Sequence, residues 1–531
     1  MSQDVCWETA HALRCAPEAL PLGLDAKQPI QYLQHTNRGT MKILFAASEG
    51  LPYSKTGGLA DVVEALPKAL VAQGHQVSVI LPRYRGNPAA PVFLPSLTVG
   101  FGDRLRFPSI TGGGSSNGVS YFFVDDPQYF DREQLYGVQG KDYPDNAARF
   151  GEFARAVVEF AKRGWEPDVI HCHDWQVALV PVLLRTQYKG DSALAGLPVV
   201  FTIHNMGYHG GFPRTVLPEL GLDPDLFRMD AMEFYGKVNF LKGGLVYSDY
   251  LTTVSRKYAQ EIQTEEYGCG LEGVVKSRAD RLLGILNGVD YSVWSPEQDA
   301  LIAARYSVRD LTGKRACKKD LLDLFHLPTK SPQNLNRPLL GIVSRFTVQK
   351  GFDLLEEIAP ELTKLNLNVV ALGAGEPRYE KLFRDLAARF PDKFAVKVAY
   401  DNTLAHKIEA GSDMFLMPSR YEPCGLNQIY SLRYGTVPVV RATGGLDDTI
   451  EPFDPRTGKG TGFKFQGYEA AALLAVIREA LGIYSDAKAW RQVQLNGMAK
   501  DYSWQTSAHE YARLYELAKK SRNRKAVASS N

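Results

Sequence analysis

From Met41 onward the chain alternates short, continuously apolar runs with stretches of helical period. "KILFAA" leads to a helix expected over Leu59–Gln73, then to "QVSVILP". The pattern returns at "DVIHC", "PVVFTI", "YLTTVS" and "LLGILN". A strand that is apolar on both faces has to be covered on both faces, and intervening helices supply the cover. This reads as an α/β fold on a doubly wound parallel sheet. The regularity lapses over residues 287–338, where a charged run, "GKRACKKD", precedes the Pro- and Asn-rich "PTKSPQNLNRP". It restarts with "PLLGIVSR", "LNVVALGAGE", "FAVKVAY", "DMFLMPSR" and "VPVVRATGG". Two Rossmann-like halves are therefore expected, 41–286 and 339–501, joined by a linker region over 287–338. They should face each other across a cleft at the carboxyl ends of their strands. An amphipathic helix over 502–520 is expected to pack back across the hinge.

A length of 531 residues is too great for one core, in keeping with two domains. The net charge of +2 argues against a broad nucleic-acid surface. No apolar run approaches the ~18 residues of a membrane span. Six cysteines are scattered without a C-x-x-C pair. Free thiols and a cytoplasmic, reducing location are the expectation. Residues 1–40 lack periodicity, carry Pro17, Pro21 and Pro29, and have no signal-peptide pattern. They read as a disordered extension.

The segments just after the strands carry the chemistry. "SKTGGLAD" sets Lys55 beside Gly57 and Gly58 at the start of a helix. Helix starts present unpaired N–H groups and partial positive charge, so the arrangement suits a phosphate; an ordinary glycine turn with a solvated lysine has the same spelling. "TGGLADVV" is echoed by "TGGLDDTI", which carries Gly444 and Gly445. Both helix starts are expected to converge on one anionic ligand. In "VSRFTVQKG", Arg345 and Lys350 flank a turn that ends in glycine. Arg grips phosphate oxygens as a fork and Lys acts as a point charge. "HCHDWQ" puts His171 and His173 two apart on one side of a strand, and His204 and Asn205 follow a neighbouring strand. Histidines so spaced fit a zinc site or hydrogen-bonded structural roles. "DPD" (Asp223–Asp225) has the letters of a D-x-D metal motif but reads as a turn before a helix. No metal and no cofactor are expected; Lys, Arg and helix starts would neutralise a diphosphate instead.

"KTGGLADV", "HCHDWQ", "TIHN", "ILNGVD" with "WSPE", "VSRFTVQKG", "PSRYEPCGLNQIYSLRYG" and "TGGLDDT" occur in this order. Together they resemble bacterial glycogen synthases and the related starch synthases, over about Met41 to Tyr511. The resemblance implies the GT-B fold and transfer of glucose from ADP-glucose to the 4-hydroxyl at the non-reducing end of an α-1,4-glucan, with retention. It implies ADP-glucose and glycogen as partners, and neither nucleic acid nor membrane. It puts Arg345 and Lys350 on the donor diphosphate, and Glu422 in the donor-sugar pocket beside Cys424, Gly425 and Leu426. One of His171 and His173, with His173 preferred, lies over the glucose. Asp61, Asp145, Asn287, Lys318 and Tyr400 match positions around the donor. Where some relatives carry His, this chain has Gln176. The alternatives are another GT-B glycosyltransferase with a different donor or acceptor, or an inactive glucan-binding protein on the same scaffold.

Overall fold

The computed structural model describes residues 39–530; the extension expected over 1–40 falls almost wholly outside them. Two sheets carry the fold. The first holds β1 (Lys42–Ala46), β2 (Gln76–Pro82), β3 (Val92–Leu94), β4 (Ser109–Ser116), β5 (Val119–Asp125), β6 (Val169–His173), β7 (Val199–Ile203), β8 (Tyr250–Thr253) and β9 (Leu282–Gly284). Its order is β9-β8-β7-β6-β1-β2-β5-β4-β3. All neighbours from β9 to β5 pair in parallel, whereas β4 and β3 add an antiparallel edge. That edge has no counterpart in the apolar-run reading. "SITGGGSS" in β4 is exposed over its last four residues, so it has no continuous apolar signature.

The second sheet holds β10 (Leu339–Val343), β11 (Asn368–Leu372), β12 (Phe394–Lys397), β13 (Met414–Met417), β14 (Val437–Arg441) and β15 (Phe463–Phe465). Its order is β12-β11-β10-β13-β14-β15, all parallel. Strand order therefore reverses between β10 and β13, as it does between β1 and β6 in the first sheet. A reversal sends neighbouring crossovers to opposite faces and opens a crevice at the strands' carboxyl ends.

The helices that matter below are α1 (Gly58–Ala72), α2 (Asn146–Phe160), α3 (Arg256–Glu261), α4 (Thr312–Leu324), α5 (Asn402–Gly411), α6 (Asn427–Arg433), α7 (Gly444–Thr449) and α8 (Trp504–Ser530). α8 runs further than the expected 502–520. It buries Trp504, Ala508, Tyr511, Ala512, Tyr515 and Ala518 in one core with α1 and with Ile43, Phe45, Val79 and Val200 of the first sheet. The chain thus returns from the second lobe to cover a face of the first. The linker region is more ordered than its composition suggests. Cys317 within "GKRACKKD", with Leu321 and Leu322 just after it, lies on the inner face of α4. The two leucines join Leu404, Ile408 and Phe415 in a core of the second lobe. Trp294 lies stacked between His406 (3.7 Å) and Tyr430 (3.9 Å), which ties the "WSPE" segment to the same lobe. Among the described residues no helix is long and apolar enough to cross a membrane.

Candidate active site

The two switch points deliver their loops to one region. In the second lobe, β10 leads to Arg345 and Lys350, and β13 leads to Glu422. The loops are locked together by a glycine: Gly351 has φ +78°, and a Cβ there would come within 2.2 Å of the Pro418 carbonyl oxygen. Asn427 at the start of α6 donates to the Val343 carbonyl at 2.9 Å and fixes the same junction. Lys350 Nζ then reaches Glu422 Oε2 at 2.5 Å, and Ser419 donates to that oxygen at 3.0 Å. Glu422 is buried. Arg345 is exposed, with only a 3.3 Å contact to Gln349 Oε1. Tyr400, just past the carboxyl end of β12, is 87% exposed, an unusual state for a tyrosine with no internal role. Cys424 is buried, its thiol is pushed up to about 12 by burial, and the Asn287 backbone N–H points at it. Asn287 is itself buried, with Oδ1 unpartnered. Gly425 (φ +70°) and Leu426 are half-buried at the entrance to α6.

In the first lobe, the loop after β1 carries Lys55 on Asp61 at 2.7 Å. Gly57 and Gly58 are exposed: a Cβ on Gly58 would meet nothing within 4 Å, and one on Gly57 only Glu49 Oε1 at 3.8 Å. The space over this helix start is open. Glu49 holds the loop from beneath the helix start: it accepts from Thr56 N at 2.6 Å and Thr56 Oγ1 at 2.8 Å, and the Gly57 backbone N–H also points at its carboxylate. Burial raises the Glu49 pKa. Asp145 occupies the N-cap position of α2 without capping it; its Oδ2 accepts from Arg132 at 2.6 Å, and Oδ1 is buried and unpartnered.

The histidines separate. His171 spends Nε2 on Thr202 Oγ1 (2.6 Å) and Nδ1 on the Tyr515 hydroxyl of α8 (2.7 Å). Both nitrogens are used in the core, so His171 is not available to a donor sugar or to a metal, contrary to its expected role. His173 pairs Nδ1 with His204 Nε2 at 3.0 Å and leaves Nε2 buried without a partner. Burial holds all three rings neutral, with the His204 pKa lowered to about 3.

Two further expectations are corrected. Gly444 and Gly445 do not offer their N–H groups to a ligand. Gly444 N donates to both oxygens of Glu261 on α3 at 3.1 Å, and Gly445 N donates to the Glu422 carbonyl at 3.1 Å. A Cβ on either glycine would lie 1.9 Å from a carbonyl oxygen. The echoed "TGGL" therefore serves open approach in one lobe and close packing in the other. Lys318 on α4 is buried, on Asp413 Oδ2 at 2.5 Å and the Arg337 carbonyl at 2.8 Å. Asp413 precedes β13, so Lys318 stands at the strands' amino ends, away from the cleft. Its spacing in a charged run could not reveal which end of the sheet the helix would cover.

Residues not singled out from sequence also shape the site. Asp174 follows His173 with φ +62°, a region that costs a non-glycine residue energy. Its half-buried carboxylate accepts from His204 N at 2.7 Å, and loss of water around it raises its pKa to about 7. It thereby joins the ends of β6 and β7. Tyr421, beside Glu422, bonds Asn205 of the first lobe. The only sequence signal was their position inside quoted motifs.

Known proteins share this sequence and fold. A starch synthase catalytic domain profile matches residues 42–277, and a glycosyl transferases group 1 profile matches 326–493. A glycogen synthase of Koribacter versatilis is 59% identical over 486 residues, covering 91% of this chain and 99% of the relative. The chain belongs to the glycogen synthase family. A second glycogen synthase, from an Anaeromyxobacter strain, is 48% identical over 90% of this chain and 99% of its own. Among solved structures, the catalytic domain of starch synthase IV from Arabidopsis thaliana, bound to ADP and acarbose, superimposes with a TM-score of 0.80 at 33% identity. It covers 91% of this chain and all of that one. Sucrose-phosphate synthase from Thermosynechococcus elongatus shares the fold alone, with a TM-score of 0.57 at 17% identity. The fold is GT-B, with two Rossmann-like lobes.

Proposed function

We propose that this glycogen synthase homologue moves glucose from ADP-glucose to the terminal 4-hydroxyl of an α-1,4-glucan, with retention of configuration. The bond from C1 to the diphosphate oxygen breaks, and a bond from C1 to the acceptor oxygen forms on the same face. The acceptor's proton leaves with the departing ADP. Negative charge grows on the diphosphate as it departs, and fixed cations stabilise it. Arg345 and Lys350 take that role from one lobe, with Lys55 and the exposed helix start at Gly57 and Gly58 from the other. Glu422 holds the sugar.

The observation that carries this reading is the Lys350–Glu422 pair at 2.5 Å. C1 and the phosphorus share one oxygen, so the carboxylate that handles the sugar and the ammonium that handles the phosphate have to stand side by side. Lys55 starts paired with Asp61, each about a third exposed. Such a pair is worth only about 0.2–1 kcal/mol and yields readily to a diphosphate. His173, with its free Nε2, lies over the glucose, and Asp61, Asp145, Asn205, Asn287, Tyr400, Cys424, Gly425 and Leu426 surround the donor. Residues 41–286 and 339–501 act as the two lobes that close on the donor and exclude water. The reaction takes place in the cytoplasm.

A donor-by-acceptor matrix tests the proposal: ADP-glucose against UDP-glucose, glycogen against short sugars. Transfer to glycogen from ADP-glucose, undiminished by a chelator, is expected. A preference for UDP-glucose or for small acceptors, or loss of transfer on chelation, overturns the corresponding part.

A further inference from the structure

A second cationic site lies at the opposite end of the first sheet. Asp249 immediately precedes β8 and accepts from Val199 N, the first residue of β7, at 2.9 Å. The cleft is at the carboxyl ends of these strands, so the two places are separated by a strand length, about 15 Å. Arg185, Arg278, Arg281 and Arg522 line a cavity of about 330 Å³ around Asp249.

The charges there do not balance. Arg185 Nη2 lies 2.7 Å from Asp249 Oδ2, and Arg522 Nε lies 2.7 Å from Asp249 Oδ1. One carboxylate is thus shared by two guanidinium groups. Arg278 is spent on backbone: it donates to the carbonyls of Leu245, Val246 and Ser248 at 2.6–2.9 Å, where the helix Phe240–Tyr247 ends. Arg281 reaches the Asp249 carbonyl at 3.3 Å and the exposed Asp280 carboxylate at 3.4 Å. Arg185 keeps Nε and Nη1 buried and without a partner, although its side chain is only 13% exposed. A buried charge with unmade hydrogen bonds is costly. Burial disfavours the charge on Arg185 and Asp249 offsets it only in part, while the neighbouring Arg522 adds to the cost. The arrangement has the donors and the charge of an oxyanion site but holds one acid among four bases. A planar guanidinium fork is suited to phosphate oxygens.

We propose that this cavity is a second, non-catalytic anion site that takes a phosphate group, either free or carried by a small metabolite of sugar size. The volume sits at the lower end of the ~300–1,000 Å³ of ligand pockets, so it admits a phosphorylated sugar as well as the bare ion. Arg522 belongs to α8. Seven residues earlier on the same helix, Tyr515 holds His171, whose ring lies 4.0 Å from that of His173. An anion that bridges Arg522 to Arg185 tightens the docking of α8 on the sheet and thereby steadies the histidines beneath the cleft.

The test keeps the cleft filled with saturating ADP and measures thermal unfolding of the full chain. Inorganic phosphate and a hexose 6-phosphate are titrated, with sodium chloride at matched ionic strength as the baseline. A ligand that binds only the folded state raises the midpoint, here by about 2 °C or more at saturation. The rise is expected with one or both probes, and a larger rise with the hexose phosphate identifies the sugar-bearing form. Arg281→Gln and Arg522→Gln abolish the rise while leaving glucosyl transfer in phosphate-free buffer at the parent rate, and Arg522→Lys retains part of it. No rise above the chloride baseline, or an equal rise in both Gln variants, overturns the proposal. Independently of the variants, tungstate soaked into crystals of the parent protein is expected to give anomalous density against Arg185, and its absence there overturns the site.

Discussion

Lys350 and Glu422 illustrate how one contact preorganises two charged side chains. Glu422 is buried, Lys350 half-buried, and the two are close, so each side chain fixes the other before any donor arrives. Lys350→Ala and Glu422→Ala are both expected to lower turnover by about 10²–10³-fold, the loss seen when a preorganised charge-stabilising group is removed. Steady-state transfer to glycogen at saturating ADP-glucose measures it. Asp174 makes a prediction of a different kind. Its folded pKa is raised from the ordinary 3.8 to about 7 by burial. Between these values the folded state holds a proton that the unfolded chain has lost. The carboxyl's contribution is therefore complete below about pH 4 and declines as pH rises through about 7. Asp174→Asn keeps the acceptor for His204 N and removes the titration. The stability difference between the Asp174→Asn variant and the parent is followed by urea unfolding across the range from acid to mildly alkaline pH. It is expected to move in favour of the variant as pH rises.

Among the elements, α3 and α7 cap each other across the lobes. Glu261, the last residue of α3, takes the Gly444 N–H at the start of α7. Asp448 of α7 takes the Lys257 N–H at the start of α3, at 3.0 Å. Each short helix thus has its unpaired donors satisfied by a carboxylate from the opposite lobe. Glu261→Ala leaves the buried Gly444 N–H without an acceptor, a cost of about 1–3 kcal/mol. Equilibrium unfolding in urea reads it. The two "TGGL" segments give a paired contrast. Gly445→Ala forces a Cβ into the Cys424 carbonyl and is expected to cost about 1–3 kcal/mol or more through overpacking. Gly58→Ala has room for its methyl group and is expected to leave the unfolding midpoint nearly unchanged while raising KM for the donor. The alternation of apolar runs and helices made the parallel strands around β1 and β10 legible. The antiparallel edge was not, because exposed, Gly- and Ser-rich strands are held by their neighbours' backbone and leave no apolar pattern. α4 was hidden in the same way: a charged run whose buried apolar residues are few, Cys317, Leu321 and Leu322, looks like linker until a partner surface exists.

At the scale of the molecule, α8 is the element that makes two lobes one protein. It leaves the second lobe at Trp504, crosses to the first, and buries Trp504, Tyr511 and Tyr515 there. Removing the chain from residue 503 onward would expose that whole face of the first sheet. Loss of soluble, folded protein is expected, not merely a slower enzyme, and circular dichroism with size-exclusion chromatography distinguishes the two. The lobes also touch at the mouth of the cleft, where Tyr421 meets Asn205. Closure on a donor therefore starts from lobes already joined at α3–α7 and at α8.

Apolar periodicity determined the two-sheet architecture, and motif order determined the family, because both depend on residues near one another along the chain. The placement of Lys55, Arg345, Lys350 and Glu422 beyond strand ends was legible for the same reason: a strand's carboxyl end faces the crevice whatever the rest of the chain does. Only the tertiary structure gave His171 and His173 different partners, removed Lys318 to the far end of its sheet, and gave identical "TGGL" strings opposite uses. In each case the deciding partner (Tyr515, Asp413 or Glu261) lies 95 residues or more away in sequence. Hydrogen bonds at that range are set by packing, which local spelling does not encode.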